Sequence, residues 1–301
     1  MIGPTSLLRV VPVPVDLVVT DLDGTLWDGA VGTHPLTLAA LARLREAGLP
    51  VLAATARRPA AALEVMTAHD VLLPAVVFDG ALGHDFASRQ VFHRAPIGRD
   101  AAEAVVHEFA DCGLEPCLNI DGDARDFLVG PQPSTHPDHL AYNAGRTQLV
   151  DIVEATRRFD VLSMIICGGD RRLLAPVQEA IAPLADSAIT IDRTYGGHSL
   201  SVRAKGISKW SGVEAYCQLR ELDPSRVLAV GDAENDLELL TRAAYRCVPE
   251  DGCDAALALA THRIPPARVG GWATILEVIG MSERRDHAAT SRHCPDEHRR
   301  R

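Results

Sequence analysis

The sequence predicts an α/β protein: a Rossmann-like three-layer core on a parallel sheet, interrupted by an inserted α+β domain. Three observations carry that expectation. Short β-branched apolar runs alternate with helical stretches at both ends of the chain, and a complete β-α-β unit fits within the first 55 residues. Several of these runs end in acidic or hydroxyl residues, where ligand crevices open in parallel sheets. Between residues 83 and 203 the texture changes to short strands and helices separated by turns. The expected layout is a loose lead-in at 1–14, a core at 15–82 and 204–281, an insertion at 83–203, and a charged, disordered tail at 282–301.

The first strand centres on Leu17, Val18 and Val19, after Pro14 and before Gly24. It delivers Asp21 and Asp23 to its carboxyl end. Two carboxylates this close repel unless a cation or a shared proton relieves them, which points to a divalent metal. A short flap over residues 26–34 comes next, and Pro35 opens a helix through Leu38, Leu41 and Leu44 that stops at Gly48. Residues 51–54 form the second buried strand, ending at Thr55. With Ala56 and the helix start near Pro59, Thr55 makes either an ordinary helix cap or an anion site. The third strand, 75–78, runs into Asp79-Gly80-Ala81.

Within the insertion, strands are expected at 90–93, 116–120, 127–129, 161–167, 189–192 and 199–202, with helices at 100–112, 152–158 and 173–184. Asp121, Asp123 and Asp126 mimic the start of a calcium loop but lack its later Glu, so a hairpin turn is expected. His136 and His139 fall in a proline-rich polar stretch that reads as a solvated loop.

The sheet then resumes. Lys209 stands at the start of a helix through Val213, Tyr216 and Leu219, where the dipole disfavours an ammonium unless anions face it. Residues 226–230 form a strand that leads into Gly231-Asp232-Ala233-Glu234-Asn235-Asp236, a crowd of polar groups at a strand end. A strand at 245–248 and helices at 253–260 and 272–279 complete the core.

Composition narrows the function. A net charge of −10 argues against nucleic-acid or membrane-surface partners. Only two of the 30 basic residues are lysines, Lys205 and Lys209, which makes both conspicuous. Seven cysteines without a CxxC pair read as reduced thiols. No run reaches the roughly 18 apolar residues of a membrane span, and a cytoplasmic monomer or homodimer is expected.

Four strings now stand in order: Asp21-Leu22-Asp23-Gly24-Thr25, Thr55 after the second strand, Lys209 in Gly206-Ile207-Ser208-Lys209, and Gly231-Asp232 through Asn235-Asp236. Together they resemble the four motifs of the haloacid dehalogenase superfamily, over about residues 15–280. The insertion after the third strand is similar to the C2 cap of its Cof-type, class IIB phosphatases. That resemblance implies a Mg²⁺-dependent phosphatase acting on a small phosphorylated metabolite, commonly a sugar or polyol phosphate, through an aspartyl-phosphate. Asp21 would be the nucleophile and Asp23 the acid and base. Lys209, Thr55 and Ala56 would meet the phosphate, with Asn235 anchoring the lysine or the phosphate. Asp21, the Asp23 carbonyl, Asp232 and Asp236 would hold or support the metal. Ala56 stands where many relatives have Gly, and Asp79 where they often have Asn; Arg57, Asp79 and Lys205 receive no assigned role. The rival readings are a phosphomannomutase-like phosphomutase and a non-catalytic phospho-ligand sensor.

Overall fold

The computed structural model describes residues 14–29, 32–121 and 125–281. Residues 1–13 of the expected lead-in, the tail and Asp123 lie outside the described residues.

The first half of the core runs β1 (Leu17–Thr20), α1 (Pro35–Glu46), β2 (Val51–Ala54), α2 (Pro59–Ala68) and β3 (Ala75–Val77), then the hairpin β4 (Leu82–Asp85) and β5 (Gln90–Arg94). The strands β1 to β3 are parallel because each crossover is a helix. The hairpin corrects the expected boundary at residue 83. It pairs antiparallel on β3 and extends the first sheet, Val76 lying opposite Gly83. The chain leaves that sheet only after Ala95, and Ile97 then bonds to Val161 of the second. Nothing local in a hairpin states which sheet edge it will join; here the Phe92 ring lies over Gly83, where a side chain would collide with it.

The second domain comprises α3 (Arg99–Asp111), β6 (Cys117–Ile120), β7 (Phe127–Val129), α4 (Pro137–Asn143), β8 (Thr147–Leu149), α5 (Ile152–Arg158), β9 (Val161–Gly169), α6 (Arg171–Ile181), β10 (Ala185–Ile191) and β11 (His198–Ala204). Its six strands lie in the order β10-β11-β9-β6-β7-β8. Helices α3, α5 and α6 cover one face through Val106, Phe109, Ala155 and Val177. The hairpin between β6 and β7 is present, and Asp126 is taken by Arg146 as an ion pair rather than facing a calcium site. The expected loop is present at 130–136, but α4 begins at Pro137, so His139 is helical rather than part of a solvated loop. His136 caps α4 by accepting from the Asp138 amide, and His139 is buried.

The chain returns through α7 (Lys209–Arg220), β12 (Val227–Val230), α8 (Leu237–Arg242), β13 (Tyr245–Pro249), α9 (Asp254–Leu259), β14 (His262–Ile264) and α10 (Ile275–Val278). The eight-stranded sheet reads β14-β13-β12-β1-β2-β3-β4-β5. Alternation along β1 explains the three layers. Val18 packs on one face with Leu44, Met66 and Ile275, while Leu17 and Val19 pack on the other with Trp210, Val213 and Leu239. All three β1 residues are wholly buried, each contributing roughly 1.5–3 kcal/mol. β1 therefore sits rigidly at the centre of the sheet, and the residues at its carboxyl end are held with the same rigidity.

Candidate active site

The carboxyl ends of β1, β2 and β12 and the start of α7 meet at one point. β1 pairs in parallel register with β12 on one side and β2 on the other, so Asp21, Thr55 and Asp232 leave three adjacent strands side by side. Ser208 caps α7, and Ser211 accepts from the Ser208 amide in return. Gly80 allows this approach: its φ is +113°, and a Cβ there would lie 1.9 Å from the Ser208 carbonyl oxygen.

Lys209 is wholly buried, and its Nζ donates to Asp21 Oδ1 at 2.7 Å and Asp236 Oδ1 at 2.6 Å. Burial alone would lower its pKa, but the two carboxylates outweigh burial and push it up. The unfavourable helix position is thus compensated. Asp236 Oδ2 accepts the amides of Asp232 and Ala233, both at 3.1 Å. Both Asp236 oxygens are therefore occupied, one by the lysine and one by its own loop.

Asp21 is 7 % exposed, and its pKa lies well above the usual carboxylate range. Burial is the main cause, Lys209 opposes it, and Asp236, Asp232 and Asp23 reinforce it. Asp232 is pushed up to about 6 by burial and by Asp236, against the pull of Arg193, Thr25 and Lys209. Its Oδ1 accepts from Thr25 at 3.0 Å and its Oδ2 from Arg193 of the second domain at 2.9 Å. Gly24, with φ +87°, lets β1's loop pass here; a Cβ would sit 2.7 Å from Asp232 Oδ2.

Asp23 differs from its neighbours. Arg57 grips it with two bonds, 2.6 and 2.8 Å, and Trp27 adds a third at 3.1 Å. Burial raises its pKa, but Arg57 and Trp27 outweigh burial and hold it below the usual range. In this arrangement Asp23 is a carboxylate, not an acid.

Asp21, Asp232 and Asp236 each offer an oxygen within 4.8 Å of the others. An all-oxygen donor set in which burial and neighbouring carboxylates raise Asp21 and Asp232 fits a hard divalent cation such as Mg²⁺. Among the described residues the Asp23 carbonyl accepts no backbone hydrogen bond, which leaves it available as well.

The expected site residues converge, with one correction. Asp21, Asp23, Thr55, Ala56, Asp232 and Asn235 line a cavity of about 710 Å³ between the two domains, and Lys209 and Asp236 lie beneath it. Thr55 Oγ1 accepts from the Arg57 amide at 3.2 Å. Asn235 does not anchor the lysine. Its Nδ2 donates to Asp79 Oδ1 at 2.8 Å, and Ser201 donates to Asp79 Oδ2 at 2.6 Å. The aspartate at position 79 supplies the acceptor that redirects the amide, tying the β12 loop to β11. Lys205 lies elsewhere, paired with Asp186 at 2.8 Å. Sequence reasoning missed Arg193. It lies just past β10 in Asp192-Arg193-Thr194-Tyr195-Gly196, a turn signal that announces a loop tip but not that the tip reaches Asp232.

A family model of haloacid dehalogenase-like hydrolases matches residues 18–276. A putative phosphatase of Mycoplasma pneumoniae is 22% identical over 82% of this chain and 90% of its own. A 5-amino-6-(5-phospho-D-ribitylamino)uracil phosphatase of Bacillus subtilis is 23% identical over 87% of this chain and 96% of its own. Among solved structures, a haloacid dehalogenase-superfamily phosphatase of Bacteroides thetaiotaomicron superposes with a TM-score of 0.74 at 17% identity, covering 93% of this chain and all of that one. A subclass IIB sugar phosphatase gives a TM-score of 0.71 at 19% identity, covering 89% of this chain and all of that one. With these strand-end carboxylates and that inserted cap, the chain belongs to the haloacid dehalogenase-like hydrolases and is a phosphatase of that family.

Proposed function

We propose that the enzyme hydrolyses a small phosphate monoester, with Mg²⁺ as cofactor and an aspartyl-phosphate on Asp21 as intermediate. The observation that carries this reading is the Lys209 bridge between Asp21 and Asp236 beside Asp232, at the mouth of three adjacent strands. A phosphate dianion repels a carboxylate, so attack needs positive charge placed in advance. Asp21, Asp232 and the Asp23 carbonyl would hold Mg²⁺, which neutralises phosphate oxygens when bound.

This chain's residues would do the rest. Lys209 holds Asp21 Oδ1 and leaves Oδ2 to attack phosphorus as the ester P–O bond breaks. Asp23 gives the departing oxygen its proton, then takes one from the water that attacks the phospho-aspartate, so Asp21 is released and Asp23 is reprotonated. Arg57 must yield Asp23 for that step, since the ion pair opposes protonation. Thr55 and Ala56 border the phosphate position, and Asp236 orients Lys209. Asn235 acts through Asp79 on the loop. A cytoplasmic setting, where thiols stay reduced, fits the six free cysteines among the described residues.

One relative's name specifies a phosphorylated ribitylamino-uracil and one neighbour is a sugar phosphatase. Sugar and polyol phosphates are the first class to test. Inorganic phosphate is measured over a panel of phosphorylated metabolites with and without Mg²⁺. Metal-dependent release supports the proposal. Transfer without release would indicate a phosphomutase, and binding without turnover a sensor; either overturns it.

A further inference from the structure

Phosphoryl transfer uses the core side of the cavity and leaves the opposite wall unassigned. There the second domain presents Asn119, His139, Tyr142, Asn143 and Tyr195. Asn143 ends α4 and is 1 % exposed. Its Nδ2 donates to the His139 carbonyl at 2.7 Å. A carbonyl can only accept, so the amide's orientation is set and Oδ1 is the atom left over. That oxygen is buried and has no hydrogen-bond partner.

A buried acceptor without a donor is costly, and a ligand that brings a donor recovers the loss. His139 precedes Asn143 by one helical turn. Its Nδ1 is bonded to the Thr135 hydroxyl at 2.9 Å, so Nε2 is the ring nitrogen left for a ligand. Burial holds the ring's pKa at about 4, and the imidazole is neutral at physiological pH. Asn119 on β6 adds a second buried amide, 4 % exposed.

Charge on this wall is closed off. The Asp192 carboxylate is satisfied by the amides of Gly168, Thr194 and Tyr195 and by the Ser199 hydroxyl. Arg193 is turned to Asp232, and Arg58, reaching across from the core, lies between Asp126 and the Tyr142 ring. What remains is the orphan acceptor, the Asn119 amide, a neutral imidazole, the buried Arg58 Nη1 without a hydrogen-bond partner, and the rings of Tyr142 and Tyr195, with Ile165 and Phe78 beside them. A hydroxyl-rich leaving group would need a partner for each hydroxyl, which these apolar faces do not offer. An anionic one would find Arg193 bonded to Asp232 and the charge of Arg58 already balanced by Asp126.

We propose that this wall is a leaving-group subsite for a neutral, flat ring carrying an N–H donor, read by Asn143 Oδ1. The inference rests on the phosphatase reading and adds the leaving group to it.

The test is a matched series: an aminopyridinylmethyl phosphate, the same ring without its amino group, and glucose 6-phosphate. Each is assayed for kcat/KM with Mg²⁺. The wild-type enzyme should prefer the amino ring over the bare ring at least 10-fold. In Asn143→Leu that ratio should fall towards one, and in Asn119→Leu it should fall less. The ratio is taken within each variant, so a general loss of activity does not move it. Wild-type kcat/KM for glucose 6-phosphate equal to or above that for the amino ring would overturn the subsite, and so would a ratio unchanged in Asn143→Leu. Binding of the unphosphorylated amino-ring alcohol, measured by calorimetry on the wild-type protein, is independent of turnover. Preference over the bare-ring alcohol without any phosphate release would keep the subsite and sink the phosphatase reading; no preference would sink the subsite.

Discussion

The two walls of the cavity are built on opposite principles. On the core side, Asp21, Asp23, Asp232 and Asp236 are compensated by Lys209, Arg57, Arg193 and loop amides. On the side of the inserted domain, the charges of Asp192 and Arg193 are committed to fixed partners and Asn143 Oδ1 is left unmatched. A group that transfers phosphate must hold charge in readiness, whereas a group that recognises a ligand must stay unsatisfied until the ligand arrives. That difference orders the expected consequences of substitution.

The largest effect belongs to the charged side. Asp21→Asn should lower Mg²⁺-dependent phosphate release by a factor on the order of 10⁴ or more, with an unchanged circular dichroism spectrum. Retained turnover would remove Asp21 from the nucleophile's position.

Lys209→Met tests the same wall through stability. It strands two buried carboxylates without their shared cation, at a cost of roughly 3–5 kcal/mol. Chemical denaturation at neutral pH measures this loss. A variant as stable as the wild type would mean that the Asp21-Lys209-Asp236 bridge contributes little to the fold.

His139 provides the matching test on the neutral wall. Its pKa is about 4 in the fold, lowered by burial from a reference of 6.5. The unfolded chain therefore takes up a proton first as pH falls. The stability tied to the neutral ring is complete above pH 6.5, is lost between 6.5 and about 4, and is constant below that. The full loss is about 3 kcal/mol. His139→Gln should show a shallower decline over that window than the wild type; parallel curves would show that the ring titrates freely.

The smallest effect concerns Arg57. Removing it in Arg57→Ala leaves burial to raise the Asp23 carboxyl, so the limb of the pH-rate profile governed by Asp23 should move to higher pH. A profile that stays in place would show that Arg57 does not control the proton.

The walls also differ in how much of them could be read from the chain. Asp21, Thr55 and Asp232 lie immediately after strands whose β-branched runs are plain, so their convergence results from parallel pairing alone. Lys209 is conspicuous because lysine is so rare here. The neutral wall had no such marker. α4 spans seven residues with a proline at its first position and too few apolar residues to show a helical period, so His139 reads as loop and nothing singles out Asn143. Arg193 is 39 residues from Asp232, and only the packing of one domain on the other brings them together. β5 was legible as extended chain and β4 was not, and neither could be assigned to the first sheet, because pairing is decided by the neighbour they meet. Asp79 was visible as an odd residue, yet its bonds to Asn235 and Ser201 depend on a left-handed backbone at φ +51°.

Acid quenching during turnover, then borohydride reduction and peptide sequencing, tests the central claim most directly. The account predicts that an acyl phosphate on Asp21 is reduced, leaving homoserine at position 21 only when both substrate and Mg²⁺ are present. Phosphate release at full rate with position 21 unmodified, or with the modification on another carboxylate, would contradict it.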